Sequence, residues 1–230
     1  MDREEIDART QQDTRDEVAT TPDAAEQAAM WDERYSESDR VWSGEPNGAL
    51  VAEIAGLTPG TVLDVGCGEG ADAVWLAQQG WDVTALDVSE VALERGRRAA
   101  EAAGVEVRWV LSGLVEAELP GFDLVSAQYP ALLRSPECDA ERALLGAVAP
   151  GGTLLFVHHT TFGSSGHGGP AGARGSTGVD PVNYVGPVDV VTAFDDTWAI
   201  ETHEARDRAV TGGAGAHHHE DVVVRARRRV

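Results

Sequence analysis

Thr61-Val62-Leu63-Asp64-Val65-Gly66-Cys67-Gly68-Glu69-Gly70 reads as a short buried strand that breaks into a glycine-rich turn and enters a helix at Ala71. Strands that end this way bring bare backbone N–H groups close to a nucleotide-like ligand. Twenty-three residues beyond Asp64, the segment Val83-Thr84-Ala85-Leu86-Asp87-Val88-Ser89 ends a second strand in another acid, Asp87. Two carboxylates at the ends of adjacent parallel strands, with glycines between them, suit a ligand that carries a cation and a ribose. S-adenosylmethionine is such a ligand. Gly66-x-Gly68-x-x-Ala71 also satisfies the dinucleotide fingerprint, so an NAD(P)-dependent oxidoreductase is the enzyme alternative. Asp64 immediately before the turn, and the lack of a second mononucleotide-binding half, argue against it.

A second set of reactive side chains lies further on. His158 and His159 end an apolar run, and either is a candidate proton acceptor or acceptor-contacting group. Tyr129, just past another strand, is a candidate donor or a packing residue. His217-His218-His219-Glu220 would place His217 and His219 on one face of a strand, but no third ligand is evident, so no metal site is expected. Cys67 sits inside the glycine turn and pairs with no disulfide framework, since Cys138 is the one other cysteine.

Alternating strands and helices must position these groups. The pattern predicts helices at 24–35 and 48–56, β-strands at 61–65, 82–86, 105–110, 122–127 and 152–158, and helices at 71–79, 90–103 and 138–147 between them. A short helix at 188–194 and closing strands at 197–204 and 221–226 follow, around a Gly-rich turn at 211–215. Apolar runs such as Thr153-Leu154-Leu155-Phe156-Val157 suit strands covered on both faces. This alternation predicts an α/β fold with a doubly wound, mostly parallel sheet. Residues 1–22 are polar and acidic and read as a disordered tail, leaving a single domain over 23–230. Residues 163–179 read as a flexible Gly-rich loop, either a lid or a plain insertion.

Residue for residue, the chain resembles class I S-adenosylmethionine-dependent methyltransferases, and more narrowly the small-molecule subgroup related to tellurite-resistance and thiopurine S-methyltransferases. The resemblance runs through Trp31-Asp32-Glu33-Arg34-Tyr35, Trp42-Ser43-Gly44-Glu45-Pro46-Asn47, the Asp64–Gly70 turn, Asp87-Val88-Ser89, Phe122–Gln128, Ala149-Pro150-Gly151-Gly152 and Asp221–Arg227. It implies a Rossmann-like, seven-stranded sheet with an antiparallel last strand. It implies that Gly66, Cys67, Gly68 and Gly70 pack their backbone against the methionine part of S-adenosylmethionine, with Asp64 facing the ammonium. Asp87 would accept from both ribose hydroxyls, Val88 would lie against the adenine, Gln128 would approach from the acceptor side, and Trp42 would cover the sulfonium. The family carries an acid after the third strand that binds the adenine amino group. Gly113 stands there in this chain, which leaves Ser112 or a backbone carbonyl for that task.

The implied reaction is transfer of a methyl group to a small-molecule acceptor, such as a thiol or other soft nucleophile, by in-line displacement. It calls for few or no residues with strict acid–base roles, and a non-catalytic S-adenosylmethionine-binding protein is the further alternative. A net charge of −21, with all 18 basic residues arginine, repels phosphate backbones and anionic membranes, so neither nucleic acid nor membrane is an expected partner. No apolar run approaches the ~20 residues of a membrane span, and Met1-Asp2-Arg3-Glu4-Glu5 is no secretory leader, so the expected location is cytoplasmic and the expected state a monomer or homodimer.

Overall fold

The computed structural model describes residues 22–160, 181–208 and 219–230. The tail at 1–21, the Gly-rich loop at 163–179, the turn at 211–215, and His217 and His218 lie outside the described residues. Seven strands form one sheet in the order β3-β2-β1-β4-β5-β7-β6. They are β1 (Thr61–Val65), β2 (Asp82–Asp87), β3 (Arg108–Leu111), β4 (Phe122–Gln128), β5 (Val148–His159), β6 (Trp198–Asp207) and β7 (Glu220–Arg228). β1 to β5 pair in parallel, and β7 enters antiparallel between β5 and β6. The expected mostly parallel, doubly wound sheet with one reversed strand, the last, is therefore present.

The helices are α1 (Ala24–Ser36), α2 (Gly48–Glu53), α3 (Ala71–Gln78), α4 (Glu90–Ala103), α5 (Asp139–Gly146) and α6 (Pro187–Ala193). On one face of the sheet, α2, α3 and α4 pack Leu50, Leu76 and Leu93 against Val62, Val83, Leu124, Leu155 and Val223. On the other, α5 and α6 pack Leu144 and Val190 against Leu63, Val125, Phe156 and Val224. Both faces of the central strands are thus dry, which is why their sequences read as continuous apolar runs rather than alternating ones. Among the described residues no helix is long and apolar enough to cross a membrane.

Local chemistry sets the ends of these elements. Asp23 caps α1 by accepting the Glu26 N–H at 2.9 Å, while the Glu26 carboxylate accepts the Asp23 N–H at 3.0 Å. The Ser89 hydroxyl accepts the Ala92 N–H at 3.1 Å and starts α4 just beyond Asp87. β3 begins three residues later than the apolar pattern suggests, because Val105 still donates to the Ala100 carbonyl to close the end of α4. β5 begins earlier, at Val148, because Val148 still pairs with Phe122 of β4 ahead of a bulge at Ala149-Pro150-Gly151-Gly152. Gly96 has a tertiary reason to sit inside α4. A Cβ there would lie 2.6 Å from the Trp109 ring, which packs over the helix between Gly96 and Gly70.

Candidate active site

The N–H groups of Gly66, Cys67, Gly68 and Gly70 are already engaged within the protein, where the sequence suggested bare ones. Gly66 and Cys67 both donate to the Leu86 carbonyl, at 2.8 and 3.0 Å, and Gly70 donates to the Cys67 carbonyl at 2.9 Å. Gly68 donates to Asp87 Oδ2 at 2.8 Å. What the turn supplies is absence of side chain. Gly66, Gly68 and Gly70 hold φ of 67°, 52° and 81°, a region that costs other residues roughly 1–3 kcal/mol. A Cβ on Gly68 would stand 2.8 Å from Tyr35 Oη and 3.3 Å from Trp42 Nε1.

Beside this turn sit three buried acids. Asp64, Asp72 and Asp87 are 2 %, 6 % and 8 % exposed, and among the described residues no basic side chain pairs with any of them. Asp72 is satisfied by the backbone N–H and the side-chain amide of Asn47, each at 2.7 Å. Its place early in α3 therefore serves to fasten the segment before α2, beyond any effect on the helix dipole. Asp87 accepts the Gly68 N–H on one oxygen and the Ser89 N–H, at 2.9 Å, on the other, with the Val88 N–H also directed at the carboxylate. Asp64 Oδ2 has no hydrogen-bond partner. Burial raises all three carboxyls above the usual carboxylate range; for Asp64 the nearby Asp72 and Asp87 charges push further in the same direction. Burial also pushes the Cys67 thiol up, with the Asp87 charge adding to it, so this cysteine stays protonated and is a poor nucleophile.

A cover is fastened over the turn from the N-terminal side. The Trp42 indole N–H donates to Tyr35 Oη at 2.9 Å. The Trp42 backbone N–H donates to Glu69 Oε2 at 3.0 Å, and Arg95 bridges Glu69 at 2.8 Å to the Tyr35 carbonyl at 2.6 Å. Asp32 in α1 accepts from the Ser89 hydroxyl at 2.6 Å and holds the helix against the start of α4. Tyr35 and Trp42 are thus both core anchors and the lid of the glycine turn. The family resemblance pointed to Trp42 but not to the Glu69–Arg95 latch, whose partners lie 26 residues apart.

Beyond β3, the Ser112 N–H donates to the Asp87 carbonyl at 3.1 Å. Its hydroxyl turns onto the Gly113 carbonyl at 3.0 Å. The Glu116 carboxylate occupies the space that a side chain on Gly113 would enter. Ser112 and Glu116 also line a cavity of about 300 Å³ with Thr84, Arg108 and Val110. Val88 is half-buried between Asp87 and Ser89. Gln128, at the end of β4, is buried; its amide donates to Ser126 Oγ at 3.1 Å and its carbonyl oxygen has no partner.

The three candidate catalytic residues come together at the same rim of the sheet, further along. The Tyr129 hydroxyl donates to Asp221 Oδ2 at 2.6 Å, and His159 Nδ1 lies 3.0 Å from Asp221 Oδ1. The Tyr129 and His159 rings stack with centroids 4.5 Å apart. His158 takes the opposite side of β5, beside Phe156. Asp221 and Arg208, whose guanidinium lies 4.7 Å above the Tyr129 ring, were not legible as site residues. His219 meets Arg208 through the backbone, its carbonyl accepting the Arg208 N–H at 2.8 Å.

Known proteins share this fold. Residues 62–152 match the model of a methyltransferase domain. An uncharacterised methyltransferase of Mycobacterium bovis is 37% identical over 129 residues, which cover 54% of this chain and 63% of that protein; the chain thus spans less than two thirds of that relative. A solved structure described as "Conversion of a Disulfide Bond into a Thioacetal Group during Echinomycin Biosynthesis" superimposes with a TM-score of 0.69 and 25% identity, over 88% of this chain and 92% of that one. A Burkholderia thailandensis N1-methyltransferase, solved with 1,6-didemethyltoxoflavin and S-adenosylhomocysteine, gives a TM-score of 0.64 at 19% identity, over 92% of this chain and 93% of that one. Residues 62–152 thus form a methyltransferase domain, set in the seven-stranded sheet described above.

Proposed function

We propose that the protein transfers the methyl group of S-adenosylmethionine to a small-molecule acceptor, a thiol or other soft nucleophile. The observation that carries this reading is the group of three buried acids without a cationic partner, one of them with an orphaned oxygen, beside a turn stripped of side chains. Buried carboxylates without a counter-charge are costly, and a ligand that brings an ammonium and a sulfonium offsets that cost. S-adenosylmethionine supplies an activated methyl on a positively charged sulfur. The chain's own residues bind it, align the acceptor and exclude water, and alignment alone can contribute on the order of 7–11 kcal/mol.

In this reading Asp64 faces the ammonium, directly or through water. Gly66, Cys67, Gly68 and Gly70 admit the methionine part against the backbone. The Asp87 carboxylate accepts the ribose hydroxyls, and Val88 lies along the adenine. Trp42, latched over Gly68, closes the pocket, and an aromatic face near a cation is worth roughly 0.5–2 kcal/mol. Gly113 leaves the adenine amino group without the acid expected there, and the Glu116 carboxylate, standing in that space, can accept from it in its place. The unpartnered carbonyl of Gln128 faces the acceptor side. Residues 23–230 act as one catalytic unit, as a monomer or homodimer, with no nucleic-acid or membrane partner.

The dinucleotide alternative needs a second mononucleotide-binding half. Beyond β4 and β5 the sheet continues with the reversed β7 and with β6 instead. Titration calorimetry with S-adenosylhomocysteine and with NADH tests the choice. Binding of the first alone is expected; binding of NADH alone overturns the reading. Turnover of a thiol panel with labelled S-adenosylmethionine then separates an enzyme from a binding module.

A further inference from the structure

The three glycines of the turn are covered from three directions. A Cβ on Gly66 would stand 3.7 Å from Pro130 Cα, one on Gly70 2.6 Å from the Trp109 ring, and one on Gly68 2.8 Å from Tyr35 Oη. Trp109 lies in β3, and Pro130 follows β4 after Tyr129, whose N–H donates to the Val157 carbonyl of β5 at 2.8 Å. The sheet therefore fixes the first two covers. The third belongs to a segment outside the sheet, residues 23–46, which closes over Gly68 as a strap carrying Tyr35 and Trp42. Beneath these covers Asp64 Oδ2 is out of reach of solvent and has no hydrogen-bond partner. A ligand that meets this oxygen must first displace a cover.

The strap is held chiefly by polar contacts. Within α1 only Gln27 and Tyr35 are buried, and Tyr35 shares a small apolar cluster with Val41 and Ala92. The Gln27 amide donates to the Ala131 carbonyl at 2.5 Å, and Asp32 accepts the Ser89 hydroxyl at 2.6 Å and the Val91 N–H at 3.2 Å. The central fastening comes from the turn itself. Glu69, between Gly68 and Gly70, accepts the Val41 N–H at 3.2 Å, the Trp42 N–H at 3.0 Å and the Arg95 guanidinium at 2.8 Å. Arg95, in α4, also donates to the Tyr35 and Ser38 carbonyls at 2.6 and 2.7 Å. One ion pair thus ties four backbone groups of the strap to the turn and to α4. Its side chains are 11 % and 22 % exposed, so water competes for it less than for a surface pair.

The far end of the strap is pinned. Asn47 donates twice to the buried Asp72, each time at 2.7 Å. Gly44, at φ 80°, lies between this pin and the latch, where the backbone can swivel without the strain that a side chain brings. A segment with few buried apolar groups opens at a lower free energy than the strands beneath it.

We propose that residues 23–46 lift as one unit to admit and release S-adenosylmethionine, with the Glu69–Arg95 pair as the latch that sets the rate of exchange. The proposal rests on the methyltransferase reading and deepens it. The latch is closed before entry and again after it, so its strength cancels from the affinity and appears in both the on-rate and the off-rate. The covers on Gly66 and Gly70 stay with the sheet.

Arg95→Met and Glu69→Gln in the full chain test it. Calorimetry gives the Kd of S-adenosylhomocysteine, and a chase of the tritiated ligand with unlabelled ligand gives the off-rate. Each variant should release the ligand on the order of 10-fold faster, since a charged hydrogen-bonded pair is lost. Kd should stay within about 3-fold of the wild type, so the on-rate rises with the off-rate. Arg97→Met removes the same charge from α4, but its partners among the described residues are Glu90 and Glu94, and it should change neither value. An unchanged off-rate in Arg95→Met, a Kd weakened in proportion to the off-rate, or an equal effect of Arg97→Met overturns the proposal. Hydrogen exchange of the wild type is a second measurement that needs no variant. Amides of 23–46 should exchange through a shared opening well before those of β1 and β2, and equal protection overturns the proposal. Absence of S-adenosylhomocysteine binding to the wild type overturns the methyltransferase reading, whereas the exchange result decides by itself whether the strap opens.

Discussion

Two stretches of the same sheet rim handle buried carboxylates in opposite ways. Above β1 and β2, Asp64, Asp72 and Asp87 are sunk together with no basic side chain beside them. Above β5 and β7, the single acid Asp221 is surrounded by Tyr129, His159 and Arg208. The first arrangement is destabilised until something positive arrives, and the second carries its own compensation. The contrast separates a stretch whose acids have no basic partner from one whose acid is already matched by its neighbours.

The strongest way to break the comparison is to fill the first stretch. Gly68→Val puts a branched side chain at φ 52°, against Tyr35 Oη, and calorimetry should show S-adenosylhomocysteine affinity reduced by at least ~100-fold, about 3 kcal/mol. Unchanged affinity would mean the ligand does not cross the turn. Next, Asp87→Ala removes the ribose acceptors and should cost roughly 1.5–3 kcal/mol of binding. Asp221→Ala should leave that affinity within about 3-fold while lowering chemical-denaturation stability by about 1–3 kcal/mol, because Tyr129 loses its acceptor. Equal effects of the two on binding would erase the distinction between the stretches.

Asp64→Asn sharpens the contrast through pH. Burial raises the Asp64 carboxyl, so in the ligand-free protein its contribution to stability is fully present below about pH 4 and is lost as pH climbs through the folded-state value. The variant cannot ionise and escapes that loss. Its ligand-free Tm should match the wild type near pH 4 and exceed it by pH 8. Its S-adenosylmethionine affinity should be weaker and less dependent on pH than that of the wild type, which gains as Asp64 ionises. A Tm gap that does not widen with pH would show that Asp64 is not held at a cost. The smallest effect belongs to the cover: Tyr35→Phe removes the acceptor of the Trp42 indole N–H and should weaken binding by about 0.5–1.5 kcal/mol.

The acid-lined stretch was legible because its parts are close in sequence. Asp64, the glycines and Asp87 lie within one strand–turn–helix–strand unit, whose geometry the backbone rules nearly dictate. The second stretch was only half legible. Tyr129 and His159 stood out as polar ends of apolar strands, but Asp221 lies 92 and 62 residues from them. Its role depends on β7 entering next to β5, a pairing that local pattern does not encode. The neighbouring run His217–Glu220 drew the eye, whereas the first acid of the closing strand was the signal. Gly113 likewise read as a lost carboxylate. Glu116, three residues on, returns a carboxylate to that space through a turn, with Ala117 N–H on the Gly113 carbonyl at 3.1 Å.

β7 also has a consequence for how the molecule is made. It is the last strand in the chain but not the last in the sheet, and both of its neighbours depend on it for pairing. During synthesis β5 and β6 must wait with open edges until Glu220–Arg228 leaves the ribosome, a state that invites intermolecular strand addition. A nascent chain stalled before Glu220 should accordingly need chaperone protection that the released protein does not.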